Sequence, residues 1–210
     1  CAGINYIKHR RAGATYMAKC IQFEMITRHF YARAGSQDMN DDKAYANFRE
    51  KLVQPFKKIP FFFMPKYDGN PDPKSEIVFS PRQIITKENS AEIETGLESV
   101  IDYSASNIGA YDGAKLLVYH GDELGKTTNV NVFKRHYVIK ETLMQGDIIN
   151  GFGINTTTVG EINYGGGMNF LRICEQSFYH KDLNIKGQTA SGFWNVFIPA
   201  YDGLEGYIDK

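Results

Sequence analysis

The sequence predicts an α/β fold with a mainly parallel central sheet, and two observations carry that prediction. Short apolar runs alternate with stretches of helical periodicity along most of the chain. One run, at residues 115–120, is apolar at nearly every position, as expected of a strand that is buried on both faces. Strands that alternate with helices in this way form a parallel sheet with helices packed against it.

Capping and breaking residues set the limits of several predicted elements. Asn40 or Asp41 is expected to cap the second helix, and Pro55 is expected to end it. A glycine cluster at residues 165–167 is expected to precede the last helix. The predicted strands are residues 3–7, 30–34, 77–79, 100–104, 115–120 and 147–154, and the predicted helices are residues 15–30, 41–54, 128–144 and 168–180.

Bulk composition excludes several classes of protein. The 210 residues are 42% hydrophobic with zero formal net charge, which argues against disorder and against a protein-wide basic surface for nucleic acid. DNA contact would therefore need a local patch, another domain or a ring of copies. Cys1, Cys20 and Cys174 have no metal or redox spacing, which favours a reduced, cytoplasmic protein. No apolar run approaches the roughly 20 residues of a membrane span, and no signal peptide is evident.

A basic loop between the first strand and the first helix is the first predicted site. Backbone N–H groups and a helix N-terminus at such a position can hold phosphate. The common loop ends Gly-Lys-Ser/Thr, and here Ala14 stands at the lysine position. Three basic residues of the loop could replace that lysine, and a basic surface turn is the alternative interpretation. The predicted nucleotide-binding residues are Lys8, Arg10, Arg11, Ala12, Gly13, Ala14 and Thr15.

An acidic pair after the apolar strand is the second predicted site. Asp122 is placed to fix a magnesium ion, with Thr15 as its partner from the phosphate loop. Glu123 is placed to polarise an attacking water molecule. An acidic turn after a core strand is the alternative. The order of the two sites strengthens the first interpretation, because ligands of doubly wound sheets bind outside the carboxyl ends of the strands.

A run of hydroxyl side chains ends a third predicted strand at the same edge. Thr156, Thr157 and Thr158 are expected near a bound γ-phosphate, although a hydroxyl-rich turn is the alternative. The five histidines show no ligand spacing and are expected to be structural or on the surface. The aromatic run at residues 61–63 and Trp194 are expected to pack in the core. Arg33 and Arg82 are weaker hypotheses for an arginine that acts across a ring interface.

The chain resembles the ATPase domain of tailed-phage large terminases, in particular those of crAss-like phages. The resemblance lies in the basic loop at residues 8–15, the acidic segment at residues 111–126, the segment at residues 155–159 and the segment at residues 191–200. It implies a P-loop NTPase of the ASCE type, with a three-layer sandwich around the sheet. In that family the lysine of the loop can move to the first position, which is Lys8 here, and residues 156–158 would couple hydrolysis to movement. Because the loop closes between the first strand and the first helix, we expect Lys8 to replace the usual lysine, with Arg10 and Arg11 as alternatives. One of these two arginines, assigned here as Arg11, is expected to stabilise charge on the γ-phosphate.

The resemblance also implies a biological setting. Members of the family use ATP and Mg²⁺ to drive double-stranded DNA into the procapsid, as rings, usually pentamers, at the portal vertex in the host cytoplasm. The implied partners are the portal protein, the small terminase subunit and further copies of the chain. Residues 1–210 correspond to the ATPase domain, and we expect the adenine-binding segment upstream and the RNase H-like nuclease domain downstream to lie outside them.

Two other functions remain open from the sequence. Another P-loop ATPase such as a helicase would share the broad fold, although no helicase-specific motif set is visible. A degenerate nucleotide-binding module that does not hydrolyse ATP is favoured by Ala14 and opposed by the retention of both Asp122 and Glu123.

Overall fold

The computed structural model describes residues 2–67, 69–79, 96–158, 161–177 and 189–199. It confirms the predicted α/β class and the mainly parallel central sheet. The strands are β1 Gly3–Lys8, β2 Arg33–Gln37, β3 Glu76–Phe79, β4 Ser99–Asp102, β5 Val118–Gly121, β6 Met144–Gln145, β7 Ile148–Ile149, β8 Phe152–Thr158 and β9 Phe193–Phe197. The α-helices are α1 Ala14–Ile26, α2 Asp41–Phe48, α3 Gln54–Phe56, α4 Val132–Thr142 and α5 Gly165–Glu175.

The central sheet has seven strands in the order β3-β4-β2-β5-β8-β1-β9. All neighbouring pairs are parallel except β3 and β4. Strand β8 lies between β1 and β5 and pairs with both. The carboxyl ends of β1, β5 and β8 are therefore adjacent, which brings together the predicted phosphate loop, the acidic pair and the run of threonines.

Helices cover both faces of the sheet, compatible with a three-layer sandwich. Successive residues of a strand point to opposite faces, and in β5 Val118 joins a core around α1 and the helical segment after β2. Tyr119 joins a second core with Ile139 of α4. A third core includes Ile173 of α5. Among the described residues, no helix has the length and apolar character of a membrane span.

The second helix passes through Pro55, so the prediction that it ends before this proline was wrong. Residues Arg49–Val53 form a π-helical turn between α2 and α3. The backbone N–H of Gln54 donates to the carbonyl oxygen of Arg49, five residues earlier. Proline has no N–H and its ring normally clashes with the preceding turn of an α-helix. A wider turn directly before Pro55 lets the chain stay helical to Phe56.

The second strand and the last helix were misplaced in the sequence analysis. Strand β2 covers Arg33–Gln37 and leaves Phe30 and Tyr31 exposed, whereas residues 30–34 were predicted. The strand ends in two polar residues, Ser36 and Gln37, which are buried and hydrogen-bonded. An apolar pattern therefore does not extend to the end of the strand, and the sequence did not indicate it. Helix α5 begins at Gly165, so the glycine cluster lies inside the helix rather than before it.

Smaller shifts affect the other elements. Helix α1 ends at Ile26, α4 is shorter than predicted at both ends, and the predicted strand at residues 147–154 divides into β7 and β8. Strand β9, which the sequence analysis did not predict, pairs with β1 and contains Trp194. Residues 178–180 of the predicted last helix, Arg82, Val159 and Ala200 lie outside the described residues.

The aromatic run Phe61–Phe63 is on the surface, so its predicted role in core packing was wrong. The three residues form a short 3-10 helix after Pro60 and are 88%, 67% and 74% exposed. The apolar core nearby is filled instead by Phe56, Phe79 and Tyr67, whose rings contact one another. A run of three aromatic residues has no periodicity that would distinguish a buried segment from an exposed one, so the sequence alone did not reveal its surface position.

Candidate functional site

The predicted site residues meet at the carboxyl edge of the parallel sheet. Lys8 ends β1, Asp122 and Glu123 follow β5, and Thr158 ends β8. Thr15 enters from the first turn of α1. Contacts between these side chains join positions more than a hundred residues apart in the chain, at Thr15–Asp122 and Lys8–Glu123.

The loop between β1 and α1 presents backbone N–H groups at a helix N-terminus. Gly13 is the N-cap of α1, adopts a left-handed conformation with φ of 70°, and makes no side-chain hydrogen bond to the helix. Arg11 is also left-handed, with φ of 66°. Left-handed residues in a tight loop turn neighbouring N–H groups towards a common concavity that suits an anion. The thirteen-residue helix that follows adds its positive N-terminal dipole.

Asp122 is a buried carboxylate held by side chains from three elements. Thr15 Oγ1 donates to its Oδ2 at 2.7 Å, and Thr156 Oγ1 donates to its Oδ1 at 2.5 Å. Asn47 Nδ2 lies 3.4 Å from Oδ2. Burial opposes ionisation of Asp122, but the neighbouring His120, the two threonine hydroxyls and the charge of Lys8 together hold its pKa below the ordinary value. Asp122 is therefore an anion at neutral pH.

Each carboxylate oxygen of Glu123 contacts one lysine. Lys8 Nζ lies 3.2 Å from Oε1, and Lys126 Nζ lies 2.7 Å from Oε2. Thr158 Oγ1 also donates to Oε2, at 3.2 Å. Burial opposes ionisation, but the hydrogen bond from Lys126 and the charges of Lys8 and Lys126 outweigh it and lower the pKa of Glu123. A carboxylate with a lowered pKa is a weak base that can still accept a hydrogen bond from water.

The backbone at Glu123 is strained. Its φ is 49° and its ψ is 41°, in the left-handed region that residues other than glycine seldom adopt. Such strain costs of order 1–3 kcal/mol and persists only where the surroundings impose it. Here the bond from the Glu123 N–H to Asp122 Oδ1, at 3.0 Å, and the lysine contacts impose it.

The three threonines predicted after β8 have different partners. Thr156 and Thr158 lie two residues apart in the strand and contact Asp122 and Glu123 respectively. Thr157 faces the opposite side, where its Oγ1 accepts a hydrogen bond from the Gly125 N–H at 3.1 Å. Thr156 and Thr158 thus link β8 to the acidic pair directly, whereas Thr157 holds the turn that carries Lys126.

Two further predicted residues, Arg10 and Arg11, are exposed at the tip of the loop. Ala14, at the position of the usual lysine, is 2% exposed, whereas Lys8 is 7% exposed and contacts Glu123. Arg33, the hypothetical arginine for a neighbouring subunit, is bound to Asp102, with its Nε 2.9 Å from Oδ2.

The sequence predicted no role for four residues near the acidic pair: Lys19, Asp38 and Asn47, which line a pocket with Asp122, and Lys126, which contacts Glu123. Lys126 belongs to the same turn as Glu123, and its spacing of three residues was a usable signal. Asp38 directly follows β2, but the misplaced strand hid its position at the sheet edge. Asn47 and Lys19 lie on helices, and no local pattern distinguishes them from other polar helical residues.

The oxygen atoms around Asp122 fit a magnesium ion that keeps much of its hydration. The carboxylate of Asp122 and the hydroxyl of Thr15 are adjacent. No cluster of three or more acidic, histidine or cysteine side chains suited to a metal occurs in the described part of the chain. Magnesium is commonly held by one or two protein oxygens together with water and substrate phosphates, so this sparse ligand set suits it.

Comparisons with known proteins give no family for the chain. Neither a family model nor a curated protein sequence matches it.

Proposed function

We propose that the chain is a magnesium-dependent ATPase of the P-loop class. The observation that carries the proposal is the pairing of the phosphate-loop residues with the acidic pair, Thr15 with Asp122 at 2.7 Å and Lys8 with Glu123 at 3.2 Å. A nucleoside triphosphate and its magnesium ion require this combination of helix N-terminus, hydroxyl, lysine and carboxylates.

The sheet order supports the ASCE subdivision of that class. In this subdivision an additional strand lies between the strand of the phosphate loop and the strand of the metal-binding acid, and the catalytic glutamate follows the latter. In the proposed assignment this strand is β8, which lies between β1 and β5. Its Thr156 and Thr158 contact both acidic residues, which gives the intervening strand a direct connection to the reacting edge.

Each residue of the site has a defined role in the proposed reaction. The magnesium ion, held by Thr15 and Asp122, would neutralise phosphate charge. Lys8 binds the β- and γ-phosphates, for which a compact ammonium group with three donors is suited. Glu123 accepts a hydrogen bond from the attacking water and orients it, in keeping with its lowered pKa. Arg10 and Arg11 lie at the tip of the loop, and Arg11 stabilises charge that develops on the γ-phosphate.

We further propose that this ATPase is the motor domain of a large terminase, which moves double-stranded DNA into a procapsid. The resemblance of residues 8–15, 111–126, 155–159 and 191–200 supports this assignment. The proposed partners are the portal protein, the small terminase subunit and further copies in a ring at the portal vertex in the host cytoplasm. Zero formal net charge agrees with a motor that gathers DNA contacts from several subunits.

A non-hydrolysing nucleotide-binding module is the second proposal, favoured by one specific observation. Glu123 is neutralised by both Lys8 and Lys126, so its carboxylate is already engaged. In an active enzyme, phosphate must draw Lys8 away from Glu123. In a binding module the pair would persist and ATP would bind without turnover.

The deciding experiment is a calorimetric titration of the chain with ATP, with magnesium and with EDTA, together with a phosphate-release assay. Binding that magnesium strengthens, followed by slow phosphate release, is the expected result. Binding without release would support the second proposal, and absence of ATP binding would overturn both. Stimulation of release by double-stranded DNA and portal protein tests the motor assignment separately.

A further inference from the structure

A buried polar pocket lies beside Asp122, on the side formed by β2 and α2. It encloses about 10 Å³, which is space for about one water molecule. Asp38 from the end of β2, Ala44 and Asn47 from α2, and Lys19 from α1 line it together with Asp122. Ala44 and Asn47 are three residues apart on α2 and so share the helix face that meets the sheet edge.

Asn47 connects the two carboxylates of this pocket. Its Nδ2 donates to Asp38 Oδ2 and lies 3.4 Å from Asp122 Oδ2. An amide nitrogen has two hydrogens, and an ionised carboxylate can only accept, so this arrangement uses both donors of Asn47. Asp38 therefore fixes which face of the amide points at Asp122. If Asp38 could not accept, the amide would be free to turn its oxygen towards Asp122 and repel it.

Asp38 is itself held in place. It is 3% exposed, and its Oδ1 accepts a hydrogen bond from the Met39 N–H at 2.7 Å. Lys19, which is 2% exposed and bonded to Ser36 and Gln22, supplies the buried positive charge in the pocket lining. The lining therefore contains two carboxylates, Asp38 and Asp122, and one lysine.

We propose that Asp38 and Asn47 are positioning residues for the magnesium ion, an inference that rests on the proposed function. Asn47 holds the Oδ2 atom of Asp122, the same atom that Thr15 contacts, and Asp38 sets the orientation of Asn47. The pocket beside these residues has room for about one water molecule. Removal of groups that orient metal ligands typically lowers metal affinity by about 10–100-fold.

The test compares ADP affinity with magnesium and with EDTA for the wild type, Asp38→Asn and Asn47→Ala. In Asp38→Asn the Met39 N–H retains the remaining oxygen, so an NH₂ group that cannot accept faces Asn47 Nδ2. The ratio of the two affinities measures how much the metal contributes, and it requires no turnover. We expect that ratio to fall by about 10–100-fold in both variants while ADP affinity in EDTA stays unchanged. Asp42→Asn is the matched control, because it removes the same charge from an exposed position at the start of α2 and should keep the wild-type ratio.

Direct titration with Mn²⁺, followed by electron paramagnetic resonance in the presence of ADP, provides a second readout that is independent of ADP affinity. Circular dichroism melting of each variant separates a folding defect from a metal defect. Wild-type ratios in both Asp38→Asn and Asn47→Ala would overturn this inference and leave the proposed function intact. Failure of the wild-type chain to bind ADP at all would overturn both.

Discussion

Lys8 and Glu123 form an ion pair at the centre of the site, with 3.2 Å between Lys8 Nζ and Glu123 Oε1. The pair joins the end of β1 to the residue after Asp122, across β8. Lys126 holds the other oxygen of Glu123, so the glutamate keeps a cationic partner if Lys8 moves to phosphate. Lys8 could therefore move to a bound phosphate while Lys126 still neutralises the charge of Glu123.

Replacement of Lys8 is therefore expected to weaken nucleotide binding and turnover together. Lys8→Met keeps much of the apolar stem but removes the charge that phosphate needs. Calorimetry with Mg·ATP should show at least a tenfold loss of affinity. Arg10→Met, which removes an exposed charge from the same loop, is the matched comparison and should have a smaller effect.

A partial rescue should come from a lysine at the usual position of the phosphate loop. Ala14→Lys combined with Lys8→Met should recover part of the lost affinity, although Ala14 is only 2% exposed and the new side chain must turn outwards from the helix start. If Lys8→Met binds Mg·ATP as the wild type does, the phosphate role passes to Arg10 or Arg11.

The buried carboxylate of Asp38 should reduce stability at neutral and alkaline pH. Burial and the charge of Asp122 raise its pKa to about 6, above the roughly 3.9 of an unfolded aspartate. Between these values the folded state binds more protons, so the Asp38 contribution to stability increases as pH falls from above 6 towards 4. Asp38→Asn should be more stable than the wild type by about 1–3 kcal/mol above pH 7.

Urea unfolding at pH 5, 6, 7 and 8 checks this expectation. The stability difference between Asp38→Asn and the wild type should be largest at pH 8 and should shrink at pH 5. A difference that is constant with pH, or that grows in acid, would show that Asp38 is not an ionised, repelled carboxylate in the folded protein.

The buried Phe56 and the exposed Phe62 should respond to truncation very differently. Phe56 is 5% exposed and contacts the rings of Phe23, Tyr67 and Phe79, so Phe56→Ala should cost about 3–5 kcal/mol. Phe62 is 67% exposed, so Phe62→Ala should change stability by less than about 0.5 kcal/mol. Equal losses in chemical denaturation would contradict the surface position of the aromatic run.

The sequence predicted the parts of the fold that depend on local pattern. Alternating helices and apolar strands were sufficient for the α/β class, and the glycine-containing basic loop was correctly located between β1 and α1. Strand β2 was misplaced because Ser36 and Gln37 are buried polar residues, whose hydrogen-bond partners come from distant segments. Periodicity carries no information about such partners.

The sequence likewise predicted only those residues of the candidate site that lie at the ends of strands and helices. Lys8, Thr15, Asp122 and Glu123 stand at element ends, where a parallel sheet necessarily gathers them. Asn47 instead reaches the site from the second turn of α2, through the tertiary packing of that helix. Thr157 bonds to the turn at Gly125 rather than to the acidic pair, and the sequence alone did not reveal this difference from Thr156 and Thr158.

The central claim is that Glu123 orients the water that attacks a bound ATP, and one paired measurement tests it most directly. Glu123→Gln keeps the size of the side chain and removes its charge. Magnesium-dependent ATP binding should be retained, while phosphate release in single-turnover conditions should fall by about 10²–10⁴-fold. Retained binding with wild-type phosphate release would contradict the claim.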